Sequence, residues 1–84
     1  MTRDQIVQAL YASMEEVLDD VDPAALDEGM SLRADFGADS IEVMEIVGRT
    51  TRALRLQVRR TALADLRNLG ELVDALHAAS RVEA

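Results

Sequence analysis

Cysteine is absent from these 84 residues. That excludes a disulfide framework, a thiolate nucleophile and a cysteine-based metal centre. Histidine occurs once, at His77, so a His-rich metal site is excluded as well. No apolar run nears the length of a membrane span, and the start, Met1-Thr2-Arg3-Asp4-Gln5, is polar rather than signal-like. The expectation is a cytoplasmic protein without membrane insertion. Basic charge is scarce: nine basic residues, all arginine, stand against 16 acids, for a net charge of −7. Nucleic acid as a partner needs a basic face, and the balance argues against it. Repeats, low-complexity segments and sustained β-alternation are lacking too. A chain of this length is read as one domain, residues 1–84, acting as a monomer. It buries only about 60% of its unfolded surface, so a large enclosed active-site cavity is not expected.

The charge is unevenly spread. Residues 1–47 hold 12 acids and 2 arginines, a net of −10; residues 48–84 hold 7 arginines and 4 acids, a net of +3. Two readings are open, an ordinary solvated surface and a docking surface of two signs.

The apolar pattern is helical throughout, with a period near 3.6. Three helix starts carry the same capping grammar. Thr2-x-x-Gln5 opens a helix to about Leu18, with Ile6, Val7, Leu10, Met14, Val17 and Leu18 on one stripe. Asp39-x-x-Glu42 opens a second, to about Ala53. Asn68-x-x-Glu71 opens the last, to about Ala79, with Leu69, Leu72, Val73 and Leu76 inward. Between the first two lies a connection over residues 19–38, where Asp22-Pro23 suits the start of a short helical turn. Val21, Leu26, Met30, Leu32 and Phe36 are expected to pin it to the core. A further short helix is expected at residues 61–66. The fold class is all-α: three long helices, one short helix and a long first loop.

The segment Phe36-Gly37-Ala38-Asp39-Ser40-Ile41-Glu42 carries the functional reading. It places Ser40 one residue after the helix cap Asp39, where free backbone N–H groups and the helix dipole favour an anion. On the second helix Val43, Ile46, Val47, Thr50 and Leu54 form the core stripe. Ile41, Met44 and Gly48 fall on another. Two apolar side chains flanked by Glu42 and Glu45 suggest a protein-docking face, unless the helix is buried on two sides. Catalytic serine chemistry would need a base and an orienting acid. The only imidazole is His77, read as a boundary residue of the last helix, as Tyr11 is of the first. The segment also lacks the second glycine of a G-x-S-x-G nucleophile elbow. No catalytic residue and no metal ligand is assigned.

Ser31-Leu32-Arg33-Ala34-Asp35-Phe36-Gly37-Ala38-Asp39-Ser40 resembles the run into the modified serine of the acyl carrier protein family. Ile41-Glu42-Val43-Met44-Glu45-Ile46-Val47 resembles the first half of that family's recognition helix. Helix order, the long first loop and Asn68-Leu69-x-x-Leu72 agree with it. The resemblance implies that a phosphopantetheinyl transferase moves 4′-phosphopantetheine from coenzyme A to Ser40, with Asp39 beside it. Acyl intermediates would then ride on the arm's thiol to acyl-loading, ketosynthase or acyltransferase-type enzymes. It implies that Ile41 and Met44 anchor those partners while Asp35, Asp39, Glu42 and Glu45 steer them. The adjacent glycines usual in peptidyl carriers are missing, although an aminoacyl or peptidyl carrier shares the fold and the serine. A helical interaction module that docks without covalent modification is the alternative of another class. The chain departs from housekeeping fatty-acid carriers in Arg49, Arg52, Arg55, Arg59 and Arg60, which stand where acids are typical. Gly48 replaces a larger apolar residue, and Thr50 an inward aliphatic one. These departures imply a dedicated carrier of a polyketide or related specialised pathway, with partners that offer an acidic patch to Arg49 and Arg52.

Overall fold

The computed structural model describes residues 1–59, 63 and 66–82. Three α-helices run in order: α1 (Arg3–Val17), α2 (Ser40–Leu54) and α3 (Leu69–Val82), with a short 3₁₀ turn at Pro23–Ala25 in the first connection. The architecture is the expected all-α one, and each helix ends within a few residues of its expected place. The short helix expected at residues 61–66 lies largely outside the described residues, as does Arg60.

The caps explain the starts. Thr2 Oγ1 accepts from Gln5 N at 3.2 Å while Gln5 Oε1 accepts from Thr2 N at 2.8 Å, a closed capping box. Asp39 and Glu42 repeat it at the start of α2. At α3 the box is displaced by one residue. Asn68 Oδ1 accepts from Glu71 N at 2.9 Å, but the Glu71 carboxylate accepts from Arg67 N instead of Asn68 N. The first turn of α3 gains further acceptors from the loop: Leu69 N donates to Met30 O and Gly70 N to Glu28 O, both at 2.9 Å. Gly70 permits that approach, since a Cβ there would lie 3.2 Å from the Glu28 side chain.

Ile6, Leu10 and Met14 of α1, Ile46 and Val47 of α2, and Leu69, Leu72, Val73 and Leu76 of α3 form the core. Leu32 and Ala38 of the loop are buried with them, and Val21, Leu26, Met30 and Phe36 pack against the cluster as expected. Thr50 is wholly buried, and its hydroxyl donates to Ile46 O at 2.8 Å. That bond satisfies a polar group placed where an aliphatic side chain would otherwise sit. Helix α1 is the hub, packing against both α2 and α3 more closely than those two pack against each other.

A three-armed ion pair crosslinks distant segments of the fold. Arg3 Nη1 donates to Glu28 Oε2 at 2.8 Å, Nη2 to Glu28 Oε1, and Nε to Asp74 Oδ1 at 3.0 Å, tying α1 to the loop and to α3. The hydrogen bond from Arg3 holds the Glu28 carboxyl below the ordinary carboxylate range. A carboxyl that is a stronger acid when folded contributes stability above its unfolded range. That contribution is lost as pH falls through the folded value. Arg3→Gln is therefore expected to lower Tm at neutral pH, and the gap to the native chain should close as pH drops below the carboxylate range. Thermal melts from pH 7 downward check this; a gap independent of pH would rule it out.

Candidate functional site

The loop turns into α2 through two back-to-back end signals. Residues 32–36 make a helical turn, braced at its start by Asp35 Oδ2, which accepts from Ser31 N at 2.7 Å, and by Ser31 Oγ, which accepts from Ala34 N at 3.2 Å. It ends in an αL cap, with Gly37 in the position after the last helical residues. Gly37 N donates to Arg33 O at 3.1 Å and Ala38 N to Leu32 O at 3.0 Å, and Leu32 and Ala38 are both buried. Gly37 stands at φ +64°, in the left-handed region. A Cβ at Gly37 would meet nothing within 4 Å, so conformation rather than space selects glycine here. Gly37→Ala should cost about 1–2 kcal/mol by this strain alone. Urea unfolding would show the loss as a lower midpoint at unchanged slope.

Asp39 follows at once as the cap of α2. Its Oδ1 accepts from Glu42 N at 2.8 Å, and Glu42 Oε1 accepts from Asp39 N at 3.2 Å. Val43 N donates to Asp39 O at 3.0 Å. The N–H groups of Ser40 and Ile41, at the first two helical positions, are thus the donors of this turn left to solvent or a ligand. Ser40 is exposed. Its Oγ accepts a hydrogen bond from Arg33 Nη2 at 3.3 Å.

Because α2 and α3 splay apart, a pocket of about 270 Å³ opens beside Ser40. Leu32, Val43, Val47, Leu63, Leu66, Leu69 and Leu72 make its apolar lining, and Ser31, Arg33, Arg67 and Asn68 are its polar wall members. Ser40 and Met44 also line it.

The other expected site residues fall as follows. Ile41 is 78% exposed and Met44 44%, so α2 is not buried on two sides. Asp35, Asp39 and Glu45 are exposed and Glu42 half-buried around them. Arg49 differs from the expectation of a cation offered to partners. Its guanidinium is occupied within the chain, by Glu16 on α1 and by Glu45 at 3.2 Å. Those two hydrogen bonds, Glu16 first, raise its pKa above the ordinary arginine value. Arg49 works as a strap between α1 and α2. Arg52 stays exposed, and its guanidinium folds back over Gly48, with Nη1 3.6 Å from where a Cβ would stand. Gly48 leaves a notch in the exposed stripe that an arginine fills. Sequence reasoning passed over Arg33, although one signal was available: it is one of two cations in the acidic half of the chain.

The chain matches the family described as the phosphopantetheine attachment site over residues 8–76. It is also similar to the polyketide biosynthesis acyl-carrier-protein AcpK of Bacillus subtilis (strain 168), with 30% identity over 77 residues, 92% of this chain and 93% of that protein. The matched family is one of phosphopantetheine-bearing carriers, and this chain belongs to the acyl carrier protein family. Its cofactor is 4′-phosphopantetheine, and it works with the enzymes that install and load that arm. The residues at the start of α2 fit such a group: Ser40 offers an accessible hydroxyl, and two unclaimed N–H donors and a cation beside it suit a phosphodiester. Among the described residues no helix is long and apolar enough to cross a membrane.

Proposed function

We propose that Ser40 is the attachment residue and that the chain carries intermediates of a polyketide-type pathway. The single observation behind this is the exposed Ser40 hydroxyl, set beyond the Asp39 cap and beside an apolar pocket. When bound, the arm supplies a terminal thiol that holds acyl groups as thioesters. The pathway class is taken from the relative whose printed name is a polyketide biosynthesis acyl-carrier-protein.

In this reading the chain does no bond chemistry on its cargo. Asp39 sets the helix start and so fixes the Ser40 hydroxyl in space. Ile41 and Met44 anchor partner enzymes, namely a phosphopantetheinyl transferase and enzymes of the acyl-loading, ketosynthase or acyltransferase type. Asp35, Glu42 and Glu45 complement basic surfaces, and Arg52 an acidic one at the far end of the stripe. The pocket shelters part of the cargo. At about 270 Å³ it lies just below the span of roughly 300–1,000 Å³ usual for ligand sites, which suits a short chain. The chain acts as a monomeric single domain in the cytoplasm.

The test is the intact mass of the purified chain before and after incubation with coenzyme A, magnesium and a promiscuous phosphopantetheinyl transferase. A gain of one phosphopantetheine, mapped by fragmentation to Ser40, is expected. A folded chain that gains nothing from several such transferases would overturn the reading and favour the non-covalent interaction module.

A further inference from the structure

We infer that Arg33 clamps the phosphodiester at the root of the arm and so restrains the arm beside the pocket. This rests on Ser40 being the attachment residue.

The inference starts from how the chain spends its cations. Residues 1–47 hold 12 acids and only 2 arginines. One of the two, Arg3, is consumed by Glu28 and Asp74. The other, Arg33, makes no ion pair with any carboxylate of the described residues. It donates instead to a neutral hydroxyl, Ser40 Oγ, at 3.3 Å. A guanidinium is built for bidentate contact with a carboxylate or phosphate, and a long bond to one hydroxyl leaves most of its donors unused. Asp35, two residues on, is not its partner, because that carboxylate accepts from Ser31 N at 2.7 Å.

The backbone under Arg33 is anchored on both sides. Its carbonyl accepts from Gly37 N at 3.1 Å, and its neighbour Leu32 is buried and accepts from Ala38 N at 3.0 Å. The side chain therefore leaves from a fixed base and spans the gap to the start of α2. A phosphodiester on Ser40 Oγ places a full negative charge there, among Asp35, Asp39 and Glu42. Among the described residues Arg33 is the one cation in hydrogen-bond contact with that oxygen. It complements the new charge together with the unclaimed N–H groups of Ser40 and Ile41. Without Arg33 the same modification adds an anion to an acidic cluster without the guanidinium that touches its oxygen.

The experiment uses the full chain, unmodified and modified, as native protein, Arg33→Gln, Arg33→Lys and Arg81→Gln. Arg81 is an exposed arginine in the last turn of α3, so its variant matches the charge change away from Ser40. Intact mass first establishes modification of Ser40. If native Ser40 is not modified, the attachment reading fails and the clamp falls with it. With Ser40 modified, the clamp is judged separately. Attachment should shift the Arg33 Nε–Hε resonance of the native chain and leave that of Arg81 in place. The phosphorus resonance should differ between native and Arg33→Gln. The change in Tm on modification should be more positive in the native chain than in Arg33→Gln by about 2–5 °C at low salt, shrinking in concentrated salt. Arg33→Lys should recover part of the difference, and Arg81→Gln should match the native chain. A modified native chain whose Arg33 resonance does not move overturns the clamp even if Arg33→Gln fails to fold. So does a folded Arg33→Gln with the native Tm change.

Discussion

Ser40→Ala is expected to fold as well as the native chain and to accept no phosphopantetheine. The first half follows from the packing. Ser40 is exposed, and the cap of α2 is Asp39, whose carboxylate accepts from Glu42 N. The substitution removes only the 3.3 Å bond from Arg33, and alanine is the better helix former by a few tenths of a kcal/mol. Tm should stay level or rise slightly. The second half follows from chemistry, because the Ser40 hydroxyl oxygen is the atom that bonds to phosphorus, and the other hydroxyl of the pocket, Ser31, is engaged with Ala34 N rather than set at the start of α2. Asp39→Ala is the counterpart. It keeps the hydroxyl but removes the cap, at about 1 kcal/mol, so modification should slow without vanishing. If Ser40 merely assisted the cap, the two variants would resemble each other: both would lower Tm and neither would abolish the mass gain. Melting curves and intact masses of the pair therefore separate a capping serine from an attachment serine. A mass gain retained in Ser40→Ala would refute the assignment.

Much of this site could be read from the sequence because its grammar is local. A cap and its acceptor lie three residues apart, and Thr2-x-x-Gln5 and Asp39-x-x-Glu42 both close as boxes. The inward stripe of α3 is legible for the same reason: Leu69, Leu72, Val73 and Leu76 recur at the helical period, and all four are buried. What the sequence did not disclose is what joins distant segments. Arg3 meets Asp74 across 71 positions and Glu28 across 25, and periodicity carries no information about such pairings. The use of Arg49 was hidden in the same way. Its position among acids-turned-arginines suggested a partner, yet Glu16, 33 positions earlier, takes it. The pocket beside Ser40 depends on the splay between α2 and α3, which composition does not encode. Arg33 sits in between. Its seven-residue separation from Ser40 is bridged by a turn with Gly37 in the left-handed region, so the contact emerges once that turn is drawn.

Helix α2 offers the sharpest contrast between packing and docking, because it carries two isoleucines of opposite fate. Ile46 is wholly buried in the core cluster, while Ile41 is 78% exposed. The same change, isoleucine to alanine, should therefore act on different observables. Ile46→Ala removes three carbons from the core of a small chain and leaves a cavity. The cost is about 2–5 kcal/mol, against a total stability on the order of 5–15 kcal/mol. For a domain of this size that is a fall in Tm of roughly 10–30 °C. The variant should remain modifiable only well below its lowered midpoint. Ile41→Ala deletes atoms that touch mainly water, so its stability should stay within about 0.5 kcal/mol of native. Its effect should appear when a partner covers it. An apolar anchor at the centre of an interface contributes on the order of 1–2 kcal/mol or more, so kcat/KM of the phosphopantetheinyl transferase should fall roughly ten-fold. Met44→Ala, on the same stripe and 44% exposed, should behave alike. The docking assignment does not survive if both exposed-face variants keep the native kcat/KM. The packing assignment does not survive if Ile46→Ala melts where the native chain does. Since the stripes share one helix and one substitution type, neither result can be ascribed to helix propensity, which changes equally in Ile46→Ala and Ile41→Ala. The difference between them isolates burial in one case and partner contact in the other.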